Sequence, residues 1–65
     1  MISVNGEARE GGGSTVAELL AGLGVQAERG VAVAVDAEVV PRGEWPARVV
    51  PDGARVEVLS AMQGG

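Results

Sequence analysis

Short runs of alternating apolar residues on either side of one amphipathic stretch predict an α+β fold, a mixed sheet with a single main helix on one face. Three observations carry this. Val16, Leu19, Leu20 and Leu23 recur at helical spacing. Ile2 and Val4, Val31 to Val35, and Val56 and Val58 alternate with the period of a strand. Turn signals at Asn5-Gly6, Asp36-Ala37 and Pro51-Asp52-Gly53 separate the runs. With 65 residues the chain makes one small domain, a size at which folding buries only ~60% of the unfolded surface.

Each element has a local reason. Ile2 and Val4 enter a hairpin whose turn is Asn5-Gly6, the pair that best tolerates positive φ, and Glu7 to Glu10 returns as a polar, exposed strand. Gly11-Gly12-Gly13 reads as a flexible connector; it lacks the spacing and following lysine of a phosphate loop. Thr15 starts the helix and Glu18 completes a capping box, while Gly24 is placed as its left-handed end. In Val31 to Val35 the valines face one way and the alanines the other. Asp36-Ala37 turns the chain into Glu38 to Val40, and Pro41, with no amide to donate, stops that strand. Pro41 to Pro46 is expected to be irregular, with Trp45 against the core. Arg55 to Leu59 is the last strand. The expected core is Val4, Val16, Leu19, Leu20, Leu23, Val33, Val56 and Val58. A hairpin, one crossover helix and further strands put the first and last strands side by side and parallel, which is the β-grasp roll, here with four to five strands.

Composition excludes most chemistry. The chain has no Cys, His or Lys, and so no thiolate or imidazole for catalysis or metal binding and no Schiff-base amine. Carboxylates, hydroxyls and arginines are a poor catalytic set, and no enzyme activity is expected. A net charge of -4 does not fit nucleic-acid binding, and seven glutamates supply a solubilising surface. No apolar run approaches the ~20 residues of a membrane span, and no signal peptide is evident, so a cytoplasmic location is expected.

The most informative feature is the end, Gln63-Gly64-Gly65. Two glycines have nothing to pack and lose the most freedom on ordering. They suit a tail that threads a narrow site of another protein and presents an unhindered Gly65 carboxylate. The expected division is a folded unit over 1–61 and a flexible tail over 62–65. Gly64 supplies clearance, and Met62 and Gln63 serve as partner contact or spacer.

Four segments in order give the chain a family resemblance: Ile2 to Gly6 with its Asn-Gly turn; Thr15-Val16 with Leu19-Leu20; Val39-Val40-Pro41-Arg42 followed by Trp45; and Asp52-Gly53 ahead of Val56 and the terminal diglycine. The chain resembles the sulfur carriers of thiamine biosynthesis, the ThiS family of ubiquitin-like β-grasp proteins, over essentially its whole length. Asp36 departs from the Asn often found at that turn. The resemblance implies a protein substrate and carrier. Its terminal carboxylate would be adenylated by a ThiF-like enzyme using ATP and magnesium, with no cofactor held stably by the carrier itself. The adenylate would become a thiocarboxylate with sulfur from a cysteine desulfurase, and thiazole synthase would take the sulfur. Two other readings share the fold and tail: the small subunit of molybdopterin synthase, and a related carrier for tRNA thiolation or protein conjugation.

Overall fold

The computed structural model describes residues 1–25 and 30–60. Among these the elements run β1 (Ile2–Val4), β2 (Glu7–Arg9), α1 (Val16–Leu23), β3 (Val31–Val35), β4 (Glu38–Val40), a 3-10 turn (Arg42–Glu44) and β5 (Arg55–Ser60). The strands form one sheet in the order β2-β1-β5-β3-β4. β1 pairs parallel to β5, with Val4 opposite Val56, and every other pairing is antiparallel. β5 is therefore central, as the α+β roll requires.

Helix α1 begins and ends as its sequence dictates. Thr15 accepts a hydrogen bond from the Glu18 amide (3.1 Å), and the Glu18 carboxylate accepts one from the Thr15 amide (2.9 Å). The two amides before Glu18 go to the segment after β4: Val16 N–H to Arg48 O (2.9 Å) and Ala17 N–H to Trp45 O (3.1 Å). These donors have no partner inside a helix, so the loop supplies what the helix start needs. At the other end Gly24 has φ 78°, and the Gly24 and Val25 amides reach back to Ala21 O and Leu20 O, a Schellman close.

The core lies between α1 and one face of the sheet. It contains Ile2, Val4, Val16, Leu19, Leu20, Val33, Val35, Val40, Trp45, Val50, Ala54 and Val56. Six of the eight residues expected there are buried. Leu23 and Val58 are only half-buried. They border an open depression with Val4, Asn5, Glu7, Arg9 and Val25, where α1 has ended at Gly24 and stops covering the sheet.

Two segments differ from the sequence reading. Pro41 to Pro46 contains a 3-10 turn, closed by Glu44 N–H to Pro41 O (2.8 Å) and Trp45 N–H to Arg42 O (3.2 Å). This turn delivers Trp45 into the core, 3% exposed, with its indole N–H donating to Val40 O at 3.0 Å. The Gly11-Gly12-Gly13 run is a fitted contact, where a loose connector was expected. Gly13 N–H donates to Val50 O (2.8 Å), and a Cβ on Gly12 would stand 2.9 Å from Asp52 Cα.

Candidate functional site: the last strand and the open sheet face

The residues singled out as the site, Met62, Gln63, Gly64 and Gly65, lie outside the described residues, as does the boundary placed between 61 and 62. The structure does describe β5, the strand that leads to them, and how it is held.

β5 is gripped by two turns. At its start Arg55 N–H donates to the Asp36 carboxylate (2.9 Å), and Asp36 N–H donates to Arg55 O (2.7 Å). Farther along, Asn5 N–H donates to Val56 O (2.9 Å), and the Asn5 side chain makes both bonds to Val58: Val58 N–H to Asn5 Oδ1 (2.9 Å) and Asn5 Nδ2–H to Val58 O (3.1 Å). Asn5 and Asp36 occupy equivalent places in two tight turns, with φ 51° and 52°. That backbone region suits Asn and Asp among non-glycine residues. Asp36 acts here as an acceptor, a job Asp does as well as Asn, which accounts for the departure noted in the sequence.

The face of the sheet turned away from α1 is the other feature. Pairings across it bring together Ser3 with Arg55, Ala34 with Glu57 and Val39, and Ala32 with Leu59. Val39 is 70% exposed and Leu59 66%. The outer face therefore carries an apolar lane of Leu59, Ala32, Ala34 and Val39, flanked by Arg55 and Glu57. The lane was not singled out from the sequence. Its signal was there in the strand period: Leu59 follows two core-facing valines out of phase.

The segment from Val40 to Trp45, part of the family resemblance, is anchored in the core at both ends. Val40 and Trp45 are core residues, and the exposed Arg42 lies over the Trp45 ring at 5.8 Å from its centre. Among the described residues no three His, Cys, Asp or Glu converge on a common point where they could hold a metal ion, and no helix is long and apolar enough to cross a membrane.

Comparison with known proteins agrees with this architecture. The ThiS family model matches residues 2–65. The chain is 43% identical over 65 residues to the sulfur carrier protein ThiS of Thermus thermophilus, covering 100% of both chains. It is 38% identical over 53 residues to ThiS of Escherichia coli, covering 82% of this chain and 79% of the other. The crystal structure of the thiamine biosynthesis protein ThiS from Geobacter metallireducens superposes with a TM-score of 0.77 at 36% identity, covering 98% of this chain and 97% of that one. A solution structure of a thiamine biosynthesis protein from the same organism gives 0.77 at 40% identity, with 98% and 86% covered. A family match over nearly every residue, full-length relatives above the identity at which family is secure, and the same ubiquitin-like sheet-and-helix fold together establish that the chain belongs to the ThiS family.

Proposed function

We propose that this chain, a sulfur carrier of thiamine biosynthesis, holds its sulfur as a thiocarboxylate on Gly65. The observation that carries the reading is the match to the Thermus thermophilus sulfur carrier over the full length of both chains. The chemistry follows from what a carboxylate lacks. It is a poor electrophile until one oxygen becomes a good leaving group. A ThiF-like partner using ATP and magnesium transfers AMP to the Gly65 carboxylate and releases pyrophosphate. A hydrosulfide equivalent then attacks the acyl carbon, the C–O bond to AMP breaks, and AMP leaves as the thiocarboxylate forms. The sulfur comes from outside, as from a cysteine desulfurase, because the chain has no Cys. Thiazole synthase is the acceptor, and the reactions take place in the cytoplasm.

The activating partner docks on the open sheet face. Leu59 lies six residues before Gly65, so the tail reaches at most ~20 Å from it. A partner acting on Gly65 must therefore lie close to the Leu59 end of the apolar lane. Gly64 gives clearance in the partner's channel, and Met62 and Gln63 span the distance to it.

The test is intact mass after incubation with a candidate activating enzyme, ATP, magnesium and sulfide. The wild-type chain should gain ~16 Da as sulfur replaces oxygen. A chain lacking Gly65 should stay folded and gain nothing, because its terminal carbonyl is displaced by ~3.5 Å. Unchanged wild-type mass with an enzyme active on another carrier, or equal modification of the truncated chain, refutes the reading.

A further inference from the structure

We propose that Asn5 is a positioning residue for the tail: its side chain holds the β1-facing edge of the last strand at Val58, where β3 alone would otherwise hold it. The proposal rests on the carrier reading above. β1 runs beside β5 only as far as the turn, and there the chain swings away at Asn5-Gly6, with φ 51° and 87°. Beyond this point the backbone of Val58 has no β1 strand beside it. The Asn5 amide takes the strand's place, accepting from Val58 N–H (2.9 Å) and donating to Val58 O (3.1 Å) as a peptide group would. On its other side β5 pairs with β3 through Ser60 opposite Val31. The clamp thus holds the strand on both sides to Val58, seven residues before Gly65.

That placement has a consequence for transfer chemistry. Reacting groups must meet within ~3–3.5 Å, and an error of ~1 Å costs up to about a hundredfold in rate. Held by β3 alone beyond Val56, β5 can swing about that one edge, and a shift of the strand's end is passed on to the segment that carries the reacting carbonyl. Holding Val58 on its β1 side fixes the direction of the strand's end, without any contact between Asn5 and the reacting atoms. The turn alone does not require this side chain, since glycine meets its φ equally well.

Asn5→Gly separates the two roles, keeping the turn and losing both side-chain bonds. Amide exchange should rise about tenfold at Val58, the effect of one lost hydrogen bond, with Val33 and Val56 unchanged. In sulfur loading by an activating enzyme with ATP and sulfide, kcat should fall about tenfold to a hundredfold with KM little altered. A variant that is merely less stable behaves otherwise: it depletes the folded carrier, raises the apparent KM and preserves kcat. Asn5→Asp keeps the acceptor for the Val58 amide and loses the donor, and should fall between wild type and glycine in both readouts. It also carries the test should the glycine variant fail to fold. Unchanged exchange at Val58, or a wild-type kcat in both variants, overturns the proposal. A wild-type chain that takes up no sulfur overturns the carrier reading and the proposal with it, which the parallel wild-type assay makes evident.

Discussion

Gly12→Ala and Gly22→Ala should move stability in opposite directions. At Gly12 the new methyl would stand 2.9 Å from Asp52 Cα and Oδ1 and 3.0 Å from Asp52 Cβ. Cα cannot swing aside as a side-chain tip can. It belongs to a turn fixed by Gly53 N–H to Met1 O (2.8 Å) and Ala54 N–H to Pro51 O (3.1 Å), with the Asp52 carboxylate paired to the Met1 ammonium. Relief therefore requires backbone movement, an overpacking cost of about 1–3 kcal/mol. Gly22, in α1, has nothing within 4 Å of its added Cβ, and alanine there should stabilise by about 0.5–1 kcal/mol. A domain of this size has about 3–10 kcal/mol in total, so both shifts are measurable. Urea unfolding followed by circular dichroism, with a slope of about 1 kcal/mol per molar, should place the Gly12→Ala midpoint about 1–3 M below wild type and the Gly22→Ala midpoint about 0.5–1 M above it. A neutral Gly12→Ala, or a shift of both in the same direction, would refute the claim that the glycine run is a fitted contact.

Trp45→Phe removes the indole donor to Val40 O and should cost about 1–3 kcal/mol in the same unfolding assay; no loss would mean the carbonyl finds another partner. Leu59→Asp changes an exposed residue, so the unfolding midpoint should hold within about 0.5 kcal/mol, while the apparent KM of the activating enzyme should rise; an unaltered KM would remove the open face as the docking surface. The Met1 ammonium holds the Asp52 carboxyl below its ordinary value of 3.8 by hydrogen bond and charge; desolvation opposes it, and the Gly53 amide adds the smallest push downward. A carboxyl lowered in the folded state contributes stability above its unfolded pKa and loses it as pH falls through the folded one. Asp52→Asn should therefore flatten the stability profile below about pH 4, and an unchanged acid limb in urea titrations would show that the pair contributes nothing there.

What the sequence made legible was local. The capping box, the left-handed helix end and the tight turns each depend on neighbours within a few positions, and each forms where its residues stand. Trp45 was readable as core because a lone aromatic in an aliphatic chain has few other places to go. What was not legible depends on partners far along the chain. Nothing near Gly12 indicates that Asp52 will pack against it, and three consecutive glycines read naturally as slack. Val50 and Ala54 flank a turn with no periodic pattern to mark them as buried, yet the turn returns both to the core beneath α1. Leu23 and Val58 fit their apolar patterns, but Leu23 is the last residue of α1 and Val58 lies where the helix no longer covers the sheet.

The two tight turns show why residue type at the site could be read while its use could not. Asn5 and Asp36 satisfy the same local demand, a positive φ at the first turn position, and by that criterion they are interchangeable. Their distant partners distinguish them. At Asp36 the strand presents an N–H to the side chain and the turn backbone answers the neighbouring carbonyl, so a carboxylate is sufficient. At Asn5 the strand presents both an N–H and a carbonyl of Val58 to one side chain, and of the two residue types only the amide of Asn can donate and accept together. A carboxylate there would set two acceptors against one another. The choice between Asn and Asp is thus made by β5, about fifty residues away in sequence at Asn5 and about twenty at Asp36, and it bears on the strand that leads to the C-terminal tail.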